Sequence, residues 1–435
     1  MSPFEIGILS IGILIVLICI RVPIAFALIA SGLIGMLMLL TPHGALSYIV
    51  SDVYQQLNSF PFSAVPMFIL MGYFTASAGM TERLFDAAYT WIGWIRGGLT
   101  VATVMACALF SAVSGSGPAT AATIGKIAYP QMKRYGYSDR VSTGSIAAAG
   151  TLGPLIPPSS ALIVYAIITE QSVIKCLLAG IIPGILVASL MAIIIFAICA
   201  RNPKLAPPGP KTDMRAKIKV LPGVIETAIL FLFVVGGLYI GLFTPTQAGA
   251  AGALGALLIG FARRKLKLKD VWTAAQEAVR VSCMVLFLIV GSVVFGHLLS
   301  LSTFTTNVLL WVQHLPLSPV LIVIAICIFY IIGGCFLDSL GLLVLSTPII
   351  APIIAYLGYD LVWFGVVMTM LGAVGAITPP LGVNVYVIKH ISGVPLGTIF
   401  KGILPFLIVI LAAIGMVIAF PEIATWLPSM TDAMG

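Results

Sequence analysis

Two stretches of this 435-residue chain interrupt an apolar pattern in the same way. Residues 150–160 read GTLGPLIPPSS and residues 372–384 read GAVGAITPPLGVN, and we call them the first and second breaks. Adjacent prolines beside paired glycines cannot continue an α-helix, because proline lacks the backbone N–H and clashes with the preceding turn. Each break therefore predicts an interrupted helix that forms part of a binding site, and a simple kink is the alternative.

The surroundings of the breaks place them in a membrane protein. The chain is 60% apolar and only 8% charged, whereas a soluble domain carries about 25% charged residues. In lipid, only helices and closed barrels satisfy their backbone hydrogen bonds, and barrel strands alternate with period two. Continuous apolar runs such as 6–20, 179–200 and 403–420 favour membrane-spanning helices of about 20 residues. We predict an all-α, multi-pass integral membrane protein.

The net charge of +8 does not indicate nucleic-acid binding, because the basic residues lie in short loops between apolar spans. If the loop at Arg21 faces inward, alternating spans place every Lys and Arg except Lys175 on the inner side. The positive-inside rule explains this distribution. We therefore expect both termini to face outward.

The two breaks belong to an internal repeat at an offset of 222 residues. The matching glycines, prolines and tyrosines are Gly150, Gly153, Pro157 and Pro158 with Gly372, Gly375, Pro379 and Pro380, and Pro130, Gly136 and Tyr137 with Pro352, Gly358 and Tyr359. The expected topology runs the two breaks in opposite directions. Inverted repeats are typical of secondary transporters, whose binding sites lie at the repeat interface near mid-membrane.

This repeat predicts the organisation of the chain. The first repeat (1–200) comprises scaffold spans 1–79, an interfacial arm 80–96, a re-entrant hairpin 97–129, a broken helix 140–169 and a span 172–200. A basic cytoplasmic linker covers 201–220. The second repeat (221–435) comprises scaffold spans 221–300, an interfacial arm 302–317, a re-entrant hairpin 319–354, a broken helix 361–388 and a span 400–420.

The two hairpins are split by SGSGP at 114–118 and by GGCFLDS at 333–339. Both flanks of each hairpin must lie on one side of the membrane for the charge distribution to hold. We expect their tips to meet the breaks, since small residues permit close backbone approach. Helix N-termini at the tips would present partial positive charge to an anion.

Asp338 is the only acidic residue that the topology places deep in the membrane. An intramembrane carboxylate is costly and suggests function, so Asp338 either has a cation-linked role or caps a helix; Ser116 occupies the matching position in the first hairpin. His297 has no acidic neighbour nearby in sequence, and we interpret it as structural or interfacial rather than as a proton relay.

Three stretches together resemble a known family: SAVSGSGPATAATIG at 111–125, the first break, and FLDS at 336–339 with TPIIAP at 347–352. They resemble the large membrane (M) subunit of TRAP transporters, the tripartite ATP-independent periplasmic systems, in its unfused form. The resemblance implies an elevator mechanism in the bacterial inner membrane, with periplasmic termini. It also implies a four-helix Q subunit, a periplasmic binding protein (P) and a Na⁺ gradient that drives uptake of an organic acid, such as a C4-dicarboxylate, keto acid or sialic acid.

The resemblance further implies two or more Na⁺ sites of backbone carbonyl oxygens and no organic cofactor. The first would use Ser111, Ser114, Ser116, Gly150, Gly153 and Pro154, and the second Gly333, Asp338, Gly372, Gly375 and Thr378. Substrate contact is expected near Pro158, Ser159, Ser160 and Asn384. No deep Arg is available to bind a carboxylate, so helix ends, hydroxyls, bound cations or a basic residue near the inner face must do so.

Two other functional classes are alternatives for this sequence. A stand-alone, ion-coupled elevator-type anion symporter would need no binding protein and shares the same architecture. A membrane-embedded enzyme is disfavoured, because the sequence shows no intramembrane His/Glu metal motif, Ser–His set or Asp pair.

Overall fold

The computed structural model describes residues 1–209, 211–380 and 382–432. Pro210 of the predicted linker and Leu381 of the second break lie outside the described residues, as does the C-terminal end of the second repeat, 433–435. The described residues form helices and no strands. The α-helices are α1 (Pro3–Cys19), α2 (Ile24–Leu39), α3 (Pro42–Asn58), α4 (Ala64–Ser77), α5 (Met80–Ile92), α6 (Gly98–Ser114), α7 (Gly117–Arg134), α8 (Asp139–Ala149), α9 (Ser160–Ile168), α10 (Val173–Ala179), α11 (Ile181–Arg201), α12 (Met214–Phe231), α13 (Gly237–Tyr239), α14 (Pro245–Ala262), α15 (Leu268–Leu301), α16 (Phe304–Gln313), α17 (Pro319–Gly334), α18 (Ser339–Tyr356), α19 (Leu361–Gly375), α20 (Val383–Ser392), α21 (Leu396–Ala419) and α22 (Glu422–Asp432).

Many helices are long and apolar enough to cross a membrane. Within the described ranges, seven helical segments meet this criterion of length and composition: Phe60–Ser77, Val173–Arg201, Met214–Tyr239, Pro245–Ala262, Leu268–Leu301, Ser339–Tyr356 and Leu396–Ala419. Large apolar side chains such as Ile193, Ile229 and Ile408 remain exposed on their outer faces. Such surfaces suit lipid contact, and the prediction of an all-helical, multi-pass membrane protein is confirmed.

The helix ends follow from local capping chemistry. Ser2 and Glu5 form a capping box at α1, and Thr244 and Gln247 form another at α14. The side chains of Ser138, Ser159, Ser172, Asp338 and Asp360 accept hydrogen bonds from backbone N–H groups in the first turns of α8, α9, α10, α18 and α19. Each side chain satisfies a donor that would otherwise have no partner.

One group of helices packs around the long helix α15. This helix lies along α2 and α4, and α14 packs against α4. Glycines make the contacts close: an added Cβ at Gly32 of α2 would lie 2.8 Å from a methyl carbon of Val294. At Gly252 of α14 it would lie 2.3 Å from the sulfur of Met71. We call α1, α2, α4, α12, α14 and α15 the scaffold helices.

The arm α5 leaves the scaffold at Gly79, whose φ of 71° is in the left-handed region that glycine tolerates. The arm ends at Ile92, shorter than the predicted 80–96, and a turn through Gly97 leads to α6. The ammonium of Lys217 lies 5.8 Å from the ring centroid of Trp91 and 5.9 Å from that of Trp94. This contact holds the start of α12 against the arm.

The segment between α11 and α12 differs from the predicted linker 201–220. Helix α12 already begins at Met214, because Asp213 caps it through a hydrogen bond from the Met214 N–H. The preceding segment also packs against its neighbours. The carbonyl of Leu205 accepts from the N–H of Ser138, and the Thr212 hydroxyl donates to the carbonyl of Thr90.

Two helix–turn–helix units flank the breaks. In the first, α6 and α7 meet at Gly115 and Ser116; in the second, α17 and α18 meet at residues 335–338. Helix α8 continues as a 3₁₀ turn over Gly150–Leu152 before the first break, and α9 resumes at Ser160. Helix α19 ends at Gly375 and α20 begins at Val383. The Pro157–Pro158 and Pro379–Pro380 peptide bonds are both cis.

Candidate functional site

A cavity of about 320 Å³ lies where both helix–turn–helix units and both breaks meet. Its other wall belongs to the scaffold, with Tyr73 of α4 and Met284 of α15 among the lining residues. The polar or acidic side chains that line it are Tyr73, Ser114, Ser116, Thr123, Thr151, Ser160, Asp338, Ser339 and Asn384. The cavity thus brings together residues from both halves of the sequence.

In the first half, backbone packs directly against backbone. A Cβ added at Gly153 would lie 2.5 Å from the carbonyl oxygen of Ser116. One added at Gly115, where φ is 62°, would lie 2.5 Å from the carbonyl oxygen of Pro158. The Ser160 hydroxyl donates to the Gly115 carbonyl at 3.0 Å. No larger side chain fits these positions without displacing the hairpin turn, which explains the glycines.

The second half uses a different pair of residues. A Cβ added at Gly375 would lie 2.5 Å from the Cα of Gly334, whereas one added at the predicted site residue Gly333 would face Leu342. The glycine that contacts the second break is therefore Gly334, because it lies on the face of α17 turned toward α19. The Ser339 hydroxyl also donates to the Gly372 carbonyl at 2.7 Å.

The predicted site residues divide into two groups. Those that line the cavity are Ser114, Ser116, Pro154, Ser160, Asp338 and Asn384. Those that do not line it are Ser111, Gly150, Gly153, Pro158, Ser159, Gly333, Gly372, Gly375 and Thr378.

Several hydroxyl groups of the residues that do not line the cavity donate hydrogen bonds to nearby backbone carbonyls. Ser111 donates to the Cys107 carbonyl at 2.6 Å, and Thr378 donates to the Val374 carbonyl at 2.7 Å. Ser159 donates to the Pro154 carbonyl and accepts from the Leu162 N–H, so it closes the first break and caps α9.

Asn384 connects the two halves. Its side chain is fully buried, and Nδ2 donates to the carbonyl of Ala147 on α8 at 3.2 Å. Its backbone N–H donates to the Ala376 carbonyl at 3.0 Å and so closes the second break. No donor among the described residues reaches Oδ1. A buried amide oxygen without a partner is costly and suits a bound cation or donor.

The matched positions Ser116 and Asp338 play different roles. An oxygen of Asp338 accepts from the Gly341 N–H at 3.1 Å, so the capping role is observed, while the side chain remains exposed and lines the cavity. Ser116 occupies the N-cap position of α7, but its side chain makes no capping hydrogen bond. Among the described residues, no side chain therefore caps the N–H groups of Gly117 and Ala119 in the first turn of α7, where Pro118 has none.

The groups at the breaks that could bind a ligand are oxygen atoms. No group of three or more His, Cys, Asp or Glu residues occurs in the part of the chain that the structure describes, so a thiolate or imidazole site is not formed there. The available ligand atoms are carbonyl, hydroxyl and amide oxygens, and a carbonyl that accepts a single hydrogen bond, such as that of Gly150, retains a second lone pair. Oxygen ligands of this kind are those that hard cations prefer.

His297 has an acidic partner that was not predicted from the sequence. Its Nδ1 lies 2.7 Å from Oδ2 of Asp52 on α3, a residue 245 positions earlier in the chain. Neither residue lines the cavity. Only the tertiary packing of α3 against α15 brings the pair together.

Known proteins resemble this chain in sequence and in fold. Residues 11–423 match the family model described as "Tripartite ATP-independent periplasmic transporter, DctM component". The chain is 36% identical to the C4-dicarboxylate TRAP transporter large permease protein DctM of Pseudomonas aeruginosa, over 84% of this chain and 86% of that protein. It is 30% identical to the sialic acid TRAP transporter large permease protein SiaM of Vibrio cholerae, over 94% and 95%.

A solved structure gives the same fold at lower sequence identity. The YdaH transporter of Alcanivorax borkumensis matches with a TM-score of 0.62 at 16% identity, over 87% of this chain and 90% of that one. The likeness supports the helical transporter fold alone. The extent of the family match and the relatives' identity establish the family: this chain belongs to the DctM family, the large permease subunits of tripartite ATP-independent periplasmic transporters.

Proposed function

We propose that this permease imports an organic acid with Na⁺, by an elevator mechanism, after a periplasmic protein has delivered the substrate. The observation that carries the proposal is the cavity, which is formed by both hairpin turns, both breaks and the scaffold. A site at such a junction is what inverted-repeat transporters use.

The proposed moving part comprises the two helix–turn–helix units with their interrupted helices, α6 to α9 and α17 to α20. These correspond to the re-entrant hairpins and broken helices of the two predicted inverted repeats. The glycine contacts of Gly153 with Ser116 and of Gly375 with Gly334 support movement as a block, because each unit is packed without intervening side chains. Movement would then occur against α4 and α15, which form the opposite wall of the cavity.

We propose two or more Na⁺ sites, one at each junction of a hairpin with a break. The first uses oxygens of Ser111, Ser114, Ser116, Gly150, Gly153 and Pro154; the second uses those of Gly333, Asp338, Gly372, Gly375 and Thr378. Asn384 lies beside Gly150 through Nδ2, and its Oδ1, which has no partner among the described residues, is the side-chain oxygen that we propose for a cation near the first junction. Bound Na⁺ would supply positive charge, since no Lys, Arg or His occurs among the described lining residues.

The polarity of the cavity suggests how a substrate lies in it. The N–H groups at the start of α7, beside Ser116, which no described side chain caps, favour a carboxylate. In the second half, the Ser339 hydroxyl donates its hydrogen to the Gly372 carbonyl and presents lone pairs. Ser339 and the adjacent Asp338 form an acceptor-rich end. We propose a substrate with a carboxylate at one end and a hydroxyl, amine or second Na⁺-paired acid group at the other.

The proposed assembly contains a small four-helix Q subunit as a separate chain and a periplasmic P subunit, in the bacterial inner membrane with both termini in the periplasm. The C4-dicarboxylate and sialic acid permeases among the relatives support an organic acid as substrate. The residues that we propose at or beside the substrate position are Pro158, Ser159, Ser160 and Asn384. Because Ser159 and Pro158 do not line the cavity, direct contact is assigned to Ser160 and Asn384.

Uptake in proteoliposomes tests the proposal. We expect uptake of the acid only when this permease, the Q subunit and the P subunit are present with an inward Na⁺ gradient. Equal uptake from a proton gradient without Na⁺ would contradict Na⁺ coupling. Uptake by this chain alone would instead establish the stand-alone symporter.

A further inference from the structure

A second, basic cleft of about 220 Å³ lies between the arm and the scaffold. None of the described residues that line it also lines the cavity. Arg83 and Asp86 of α5, Lys219 and Gly223 of α12, and Arg263 after α14 are among the residues that line it. Arg83 packs against bare backbone, since a Cβ at Gly223 would lie 2.7 Å from the Cβ of Arg83. Three cationic side chains thus converge where α5 crosses α12.

One carboxylate behind the cleft fixes two of these cations. Nη1 of Arg83 lies 2.7 Å from Oε2 of Glu226, and Arg263 pairs with the other carboxylate oxygen of Glu226. Two guanidinium groups share a single negative charge, so one positive charge remains unbalanced. Guanidinium groups that are held in this way retain N–H donors for a phosphate.

The remaining groups add to the positive potential. Lys219 is exposed, and no ion pair of Lys219 occurs among the residues that the structure describes. Asp86 is the only acid among the described residues that line the cleft. Burial and the nearby Glu82 raise the pKa of Asp86 above its ordinary value.

An apolar path leads from the cleft into the membrane. Leu221, Ile225, Ile229 and Leu232 of the segment that begins with α12 are exposed at helical spacing. Trp91 near the end of the arm and Trp94 just after it are also exposed and are suited to the headgroup level. A soluble anion would need only the positive charge of the cleft. The anionic headgroup of a membrane lipid would also use the row of exposed apolar side chains for its acyl chains.

We propose that this cleft binds the phosphate of an anionic phospholipid headgroup, with the acyl chains along Leu221, Ile225 and Ile229. Basic clefts at the cytoplasmic face bind anionic headgroups through the same chemistry. A lipid held there touches both the arm, which leads to the first helix–turn–helix unit, and the scaffold. The bound lipid would therefore stabilise the attachment of the arm.

Thermal unfolding of the purified full-length chain in a neutral detergent tests the proposal. Phosphatidylglycerol should raise the melting temperature, and phosphatidylcholine with the same acyl chains should not. Lys219→Gln should raise the half-maximal phosphatidylglycerol concentration about five-fold, the effect of one basic residue near an anionic surface. Asp86→Asn should lower it.

The control is Lys269→Gln, which removes an exposed lysine at the start of α15, outside the cleft. It should leave the half-maximal concentration unchanged. Equal shifts for Lys219→Gln and Lys269→Gln would overturn the site, because the attraction would then be general. The same rise in melting temperature with inorganic phosphate or glycerol phosphate would overturn the lipid as occupant. Equal stabilisation by phosphatidylcholine would do so too.

Discussion

Asn384 on α20 donates a hydrogen bond from Nδ2 to the carbonyl oxygen of Ala147 on α8, at 3.2 Å. This bond joins the helix after the second break to the helix before the first. Because Oδ1 of the same side chain has no partner among the described residues, one amide both fastens the two halves and offers an oxygen to a ligand.

Asn384→Leu should reduce Na⁺-driven uptake by about ten-fold or more, since it removes a buried hydrogen bond and the ligand oxygen together. The protein should still insert and fold, because a single hydrogen bond contributes only about 1 kcal/mol. The matched control is Asn307→Leu, which removes a half-buried asparagine on α16 that bonds to Thr303 and lies outside the cavity. Uptake equal to that of the control would exclude a role for the Asn384 amide.

Substitutions of Asp338 separate charge from capping. Asn caps helices as well as Asp does, so Asp338→Asn should keep the melting temperature and reduce the Na⁺ dependence of uptake. Asp338→Ala should also lower stability, by about 1 kcal/mol, because the bond to the Gly341 N–H is lost. If Asp338→Asn transports with unchanged Na⁺ dependence, the carboxylate serves only as a cap.

Gly153→Ala should abolish uptake while the protein remains in the membrane. The added methyl group would lie 2.5 Å from the Ser116 carbonyl and force the first hairpin turn away from the break. Gly415→Ala on α21 is the control, because a Cβ there has no atom within 4 Å and alanine favours a helix. Comparable uptake by the two variants would show that the contact at Gly153 is not needed.

The turn between α7 and α8 should make the stability of the protein depend on pH in the acid range. Lys133 bonds to both carboxylate oxygens of Asp139, at 2.8 and 2.9 Å, and holds the pKa of Asp139 below its ordinary value of 3.8. The folded protein thus binds this proton less readily than the unfolded chain. The stabilisation is present above pH 3.8 and is lost as the pH falls through the lower folded pKa.

Thermal unfolding of the wild type and of Lys133→Gln should therefore differ most near neutral pH and converge in acid. The difference should be small and should shrink with salt, because both side chains are partly exposed. A difference that grows as the pH falls would contradict this assignment.

Much of the fold follows from local sequence chemistry. Apolar run lengths predict the spans, and the double prolines predict the interruptions before Ser160 and Val383. Local rules also predict the start of many helices, since Ser138 and Ser159 are strong N-caps. The linker was less predictable, because its docking depends on a segment distant in the sequence: the Thr212 hydroxyl donates to the carbonyl of Thr90.

The site was only partly predictable for the same reason. Adjacent Gly333 and Gly334 are indistinguishable by residue type, and only the rotation of α17 against α19 selects Gly334. The pairing of His297 with Asp52 and the bond of Asn384 to Ala147 join residues hundreds of positions apart. No pattern within one helix contains that information.

At Gly153 and Gly375, backbone packs directly against backbone. The shape of these contacts must stay constant, whereas the side chains that face the cavity can change. Shape at these joints is fixed by atoms common to every amino acid, so the joints carry no chemical preference for a solute. Selectivity must reside in the few side chains that face the cavity, such as Thr123 and Ser160. Redesign for a new solute should therefore begin by randomising those positions and leave the glycines untouched.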